Sequence, residues 1–89
     1  MNEARTVEIL NKRGLHARAS AKFVTVASGF DATIEVEKEG NRVCGTSIMG
    51  LMMLGAGIGD TIVISATGMG AADAVASLVE LVENKFGED

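Results

Sequence analysis

Four short stretches in which apolar and polar residues alternate set the strongest limit on how this chain folds. In RTVEIL (5–10), Val7 and Ile9 alternate with Thr6 and Glu8, and in DATIEVE (31–37), Ile34 and Val36 alternate with Thr33, Glu35 and Glu37. RVCG (42–45) and TIVIS (61–65) complete the set. A period of two predicts strands with one dry and one wet face. Such strands suit a mainly antiparallel sheet whose dry face needs a cover. EGN (39–41) supplies turn residues that join the second and third strands as a hairpin.

The cover comes from segments with helical spacing. After NKRG, Ala17, Ala21 and Val24, with Ala19, Phe23 and Ala27, recur at helical intervals until Gly29 ends the run. Ser47 precedes IMGLMML (48–54), a short helix for which it is a good N-cap, and GAGIGD breaks the run that follows. In AADAVASLVELVENKF (71–86), Val75, Leu78 and Val82 form an apolar stripe opposite Asp73, Glu80 and Asn84. The order is β-α-β-β-α-β-α. It predicts an α/β (α+β) open-faced sandwich, a four-stranded mainly antiparallel sheet covered on one face by three helices. The polar GED end (87–89) is expected to fray. With 89 residues, no Trp or Tyr and three Phe, the chain suits a single domain, 1–89, with an aliphatic core.

Charge and cysteine content narrow the function. Eight Lys and Arg against twelve Asp and Glu give a formal charge of −4, which argues against a nucleic-acid binder that relies on general phosphate attraction. The one cysteine, Cys44, has no internal partner for a disulfide and reads as a small apolar strand residue without a redox role. The start, MNEARTVEIL, lacks the layout of a signal peptide, and the longest apolar candidate for a membrane span, SIMGLMMLGAGIG, is broken by glycines. A cytoplasmic protein without membrane insertion is expected.

The only histidine lies in GLHARASAKFV (14–24), at the start of the first helix. A lone imidazole there is open to three readings: a cap, a metal ligand or a phosphate-handling group. Gly14 frees the backbone before the helix, and the unpaired amides of Ala17 and Arg18, with the positive end of the helix dipole, form an anion site around His16. Arg18 adds a cation. The same potential disfavours a protonated ring and so favours a neutral nucleophile. One histidine and one cysteine on separate elements fall short of a metal's three or four ligands. No carboxylate is placed by sequence beside His16 to orient it, which argues against hydrolase chemistry.

The short second helix is apolar nearly all round. On a helical wheel, Ile48, Met49 and Met52 fall on one side and Leu51 and Leu54 on the other. A single layer on a sheet buries only one side, so Leu51 and Leu54 are expected inward. Ile48, Met49 and Met52 are then left as an exposed, adaptable partner-binding patch.

GLHARASAKFV, SIMGLMMLGAG and LVELVENKFGED together closely resemble the HPr family, the histidine-containing phosphocarriers of the phosphoenolpyruvate-dependent phosphotransferase system. The resemblance implies that enzyme I donates a phosphoryl group to Nδ1 of His16 and that an EIIA-type protein takes it onward. The carrier is then consumed and regenerated stoichiometrically, is not an enzyme, and needs no metal or cofactor. It implies that Arg18 neutralises phosphoryl charge and that the first two helices form the docking face. It also implies that Ser47 in SIMG is a target of a serine-directed HPr kinase/phosphorylase, beside its bland role as a cap. The family usually reads HARP; Ala19 stands here in place of the proline and restores a backbone donor in the first turn. Two alternatives remain open. GFDA, SATG and the FGED tail also look like the nitrogen-regulatory (NPr-like) branch, and the chain is also compatible with a regulatory binding module without phosphotransfer. A monomer is expected.

Overall fold

Leaving an apolar face in water costs free energy in proportion to its area, and the alternating segments avoid this by pairing into one sheet. A computed structural model of the chain describes residues 2–88. The elements follow in the order β1 (Asn2–Glu8), α1 (Ala17–Ala27), β2 (Thr33–Lys38), β3 (Asn41–Cys44), α2 (Ile48–Met53), β4 (Thr61–Thr67) and α3 (Ala71–Glu83). A 3-10 turn, Lys85–Gly87, follows α3. The expected β-α-β-β-α-β-α order and open-faced sandwich are therefore present.

The sheet runs β1-β4-β2-β3, and every neighbouring pair is antiparallel. The last strand in sequence lies inside the sheet. Its register puts Val7 opposite Ile62, Val36 opposite Ile64 and Ile34 opposite Ala66, and all six side chains are buried on the covered face. On the wet face Arg42 bonds Glu35 at 3.4 Å and Glu37 at 3.0 Å. Cys44 is a strand residue, as expected; it stands opposite Glu35, shares that wet face and is exposed.

The helices cover the dry face. From α3, Val75, Leu78 and Val82 are buried as expected, together with Ala71, Ala74 and Val79. In α1 the buried stripe is Ala19, Phe23 and Ala27 with Ser20, whereas Ala17 is exposed and Ala21 and Val24 are only half-buried. A helix lying on a sheet buries a stripe about 100° wide, so only one of the two overlapping apolar rows enters the core. In α2, Ser47 caps the helix by accepting a bond from the Gly50 amide at 3.0 Å. Leu51 and Leu54 point inward, and Ile48, Met49 and Met52 are exposed, joined by Met53, which is 79% exposed.

The end of α3 departs from the expected span to Phe86. The helix stops at Glu83 because Lys85 and Phe86 take left-handed backbone, with φ of 57° and 54°. That reversal sends the Phe86 ring into the core, where it is 1% exposed.

The two sides of α2 give a direct test. Leu51→Ala should cost about 2–5 kcal/mol of unfolding free energy, as for other buried leucines. Met52→Asp should stay within about 0.5 kcal/mol of the parent, as surface changes do. Denaturant unfolding of both variants checks the assignment.

Candidate functional site

His16 occupies the N-cap position of α1 with extended backbone, φ −73° and ψ 179°, and its side chain makes no capping bond. The first helical amide bond runs from Ser20 N–H to the His16 carbonyl at 2.9 Å. By helix geometry the N–H groups of Ala17, Arg18 and Ala19 have no intrahelical acceptor, and no acidic residue lies in the first turn to occupy them. The helix start is a site of positive potential beside an imidazole that does not cap it.

The approach to this helix start is tightly specified. Gly14 adopts φ +62°, and a Cβ there would sit 2.3 Å from the Ala56 carbonyl oxygen, so only glycine fits. The Leu15 amide bonds that same oxygen at 2.9 Å, and Ser20 Oγ donates to the Leu15 carbonyl at 3.2 Å. The loop after α2 therefore holds the turn that delivers His16.

The ring is not alone, which corrects the expectation that no carboxylate lies beside it. His16 Nε2 is 2.5 Å from Glu88 Oε2. Glu88 Oε1 accepts from Asn11 Nδ2 at 3.0 Å, and the same nitrogen donates to the Gly14 carbonyl at 2.8 Å. Asn11 is fully buried, and because both its nitrogen's neighbours are acceptors the amide orientation follows from the bonds it makes. Lys22 Nζ holds the Phe86 carbonyl at 2.7 Å. Gly87 and Glu88 are thus held where fraying was expected; Asp89 lies outside the described residues.

The hydrogen bond from the Asn11 amide, followed by the hydrogen bond and charge of His16 and the charge of Lys22, holds the Glu88 carboxyl below its ordinary range, against the opposing effect of partial desolvation. An ionised carboxylate only accepts, so the proton in the contact with His16 resides on Nε2, and a neutral ring with its one proton there carries its lone pair on Nδ1.

The remaining expected residues fall on two neighbouring helices. Ala17 and Arg18 are exposed in the first turn of α1; among the described residues Arg18 makes no ion pair. Ser47, Ile48, Met49 and Met52 belong to α2, which packs against α1. Cys44 lies apart at the end of β3, where the hydroxyl and backbone of Thr46 push its thiol down. Among the described residues no three His, Cys, Asp or Glu side chains gather as a metal site, and no helix is long and apolar enough to cross a membrane. Asn11, Lys22 and Glu88 are not singled out by sequence; the one signal, for Asn11 and Glu88, is that they lie in the non-periodic runs NKRG (11–14), before α1, and NKFGED (84–89), at the end of the last helical run.

A helix-start imidazole on this sandwich defines a class, the histidine phosphocarriers. The family described as "PTS HPr component phosphorylation site" matches residues 3–84. The chain belongs to this HPr family of phosphotransferase-system phosphocarriers, which carry a phosphoryl group and are not catalysts. It is 44% identical over 84 residues to the phosphocarrier protein HPr of Cupriavidus necator, covering 94% of each chain. It is 42% identical over 84 residues to the phosphocarrier protein NPr of Shewanella violacea, covering 94% of this chain and 92% of the relative. The crystal structure of HPr-C-His from Thermoanaerobacter tengcongensis superposes with a TM-score of 0.94 at 47% identity, covering 98% of both chains.

The held carboxylate has a pH signature. A carboxyl with a depressed folded value contributes stability that is present above its unfolded value of about 4.3 and is lost as pH falls through the folded value. The unfolding free energy of the parent should therefore drop more steeply with acid below about pH 4.3 than that of Glu88→Gln, which lacks the titrating group. Urea unfolding at a series of pH values reads this difference; parallel profiles would contradict it.

Proposed function

We propose that this chain accepts a phosphoryl group on His16 from phosphorylated enzyme I and passes it to an EIIA-type acceptor. It would act as a monomeric cytoplasmic carrier, with residues 1–89 as one unit and no cofactor. The observation that carries this reading is the imidazole at the head of α1, which makes no capping bond and lies beside the unpartnered amides of Ala17 and Arg18. The ring attacks phosphorus as the donor's P–N bond breaks, and the electron pair of that bond leaves with the donor. The helix amides and the Arg18 guanidinium, a free cation in the first turn, bind the transferring oxygens as charge builds on them. Exposed Ile48, Met49 and Met52, with the outer face of α1, give the partners an apolar surface to cover.

In this reading Ser47 is a control point, the target of a serine-directed HPr kinase/phosphorylase. Its oxygen already faces the Gly50 amide, so a phosphate there would keep favourable contact with the helix start, worth about 0.3–1 kcal/mol. The same charge would adjoin the patch that a partner must desolvate. A second reading is favoured by the relative from Shewanella violacea: the terminal acceptor belongs to a nitrogen-regulatory branch rather than to sugar uptake.

Labelling with phosphoenolpyruvate and catalytic enzyme I tests the proposal. The parent should take up one acid-labile phosphoryl group, and His16→Ala should fold and take up none. Arg18→Ala should be labelled about 10–100-fold more slowly, in keeping with the loss of a charged contact made as the group moves. Ser47→Asp should weaken binding to enzyme I at low salt while leaving the melting temperature near that of the parent. Labelling of His16→Ala, or an acid-stable hydroxyl ester on the parent, would overturn His16 as the acceptor, and an unlabelled parent would leave a binding module without phosphotransfer.

A further inference from the structure

We infer that Glu88 is a positioning residue for phosphotransfer: it holds the Nε2 proton of His16 throughout the cycle, so that Nδ1 alone meets phosphorus and the ring departs as neutral imidazole. This rests on the carrier reading above.

Three observations carry it. Glu88 meets Nε2 at 2.5 Å through one oxygen, while its other oxygen is fixed by Asn11, so the carboxylate is aimed as well as near. Asn11 is buried, and its nitrogen's two bonds both serve this geometry, one to Glu88 and one to the Gly14 carbonyl just before the histidine. The chain also bears conformational strain to bring Glu88 there. Lys85 and Phe86 both sit in left-handed backbone, a conformation disfavoured for residues with a side chain. It persists because the Phe86 ring is buried and Lys22 bonds the Phe86 carbonyl. The turn that follows, with Gly87 N–H on the Asn84 carbonyl and Glu88 N–H on the Lys85 carbonyl, directs the carboxylate back onto α1.

The electron and proton balance shows what the contact supplies. On loading, the Nδ1 lone pair forms the bond to phosphorus and the ring gains a positive charge shared between Nδ1 and Nε2–H, opposite the Glu88 carboxylate. On unloading, the acceptor's nucleophile forms a new bond to phosphorus and the Nδ1–P electron pair returns to Nδ1. The Nε2 proton has not moved, so the leaving group is neutral imidazole. If the phosphorylated ring shed that proton, the same step would have to expel an imidazolate anion, a far poorer leaving group. Among the described residues, the charged group in contact with the ring is Glu88 from the C-terminal turn, and Lys22 of α1 acts on the Glu88 carboxylate; Asn11 is neutral. Of these, only Glu88 bonds Nε2.

Glu88→Ala and Glu88→Gln, compared with the parent, test the inference through readouts that loss of folding would not imitate. Ring-resolved nitrogen spectra of the unphosphorylated proteins should show the Nε2–H tautomer in the parent and a mixture of both tautomers in Glu88→Ala. Unloading from the phosphorylated proteins should be about tenfold slower or more in Glu88→Ala at about pH 8, where solvent protons are scarce. The gap should narrow at about pH 6, where solvent can supply the Nε2 proton. Glu88→Gln, which keeps an acceptor oxygen but not the charge, should fall between. An unchanged tautomer, or a rate loss equal at both pH values, would overturn the role of Glu88 while leaving the carrier reading intact. An unlabelled parent would overturn the carrier reading, and the tautomer of the unphosphorylated ring would still report on Glu88.

Discussion

One buried side-chain amide joins the parts of the chain that meet at the histidine. Asn11 lies in the turn after β1, and its nitrogen bonds the Gly14 carbonyl two residues before His16 and the Glu88 carboxylate near the end of the chain. Hydrogen bonds to charged groups contribute about 1.5–3 kcal/mol, and leaving a buried partner unpaired costs about as much. The arrangement is therefore held firmly at a place where a mobile carboxylate would leave the ring free to choose either tautomer. Asn11 sits where the first strand ends, and the strand order brings that end beside the loop that precedes β4, with Ile9 N–H on the Asp60 carbonyl at 2.8 Å and Gly59 N–H on the Ile9 carbonyl at 2.8 Å.

The open sandwich explains why His16 and the exposed apolar residues of α2 share a side. One face of the sheet is wet and occupied by Glu35, Glu37 and Arg42, so every apolar helix face is drawn to the other. With α1 and α2 packed together there, the histidine at the head of α1 and the exposed methionines of α2 belong to one continuous helical layer. A domain this small has a limited core. Using a helix start and a turn, rather than a deep cleft, gives an anion site without hollowing that core.

Much of this was legible in residue order. Period-two alternation located β1, β2 and β4, since a sheet with one buried face imposes it on the side chains. The wheel of α2 separated Leu51 and Leu54 from Ile48, Met49 and Met52 because one layer can bury only one side. The row that α1 buries was ambiguous, as Ala17, Ala21 and Val24 offer apolar surface comparable to Ala19, Phe23 and Ala27 until the sheet selects between them. The end of α3 was hidden for a different reason. Neither Lys85 nor Phe86 has an intrinsic preference for left-handed backbone, and their conformation is set by burial of the phenyl ring and by Lys22, which is 64 residues from Phe86. The contact of Glu88 with His16, across 72 residues, leaves no local pattern to read. A carboxylate in a polar tail looks solvated until the turn before it is known.

The most direct test of this account follows both ring nitrogens of His16 in the intact protein before and after loading with phosphoenolpyruvate and enzyme I. The account predicts a proton on Nε2 beforehand, and afterwards phosphorus on Nδ1 with the proton still on Nε2. Phosphorus on Nε2, on a hydroxyl, or on no part of this chain would contradict it.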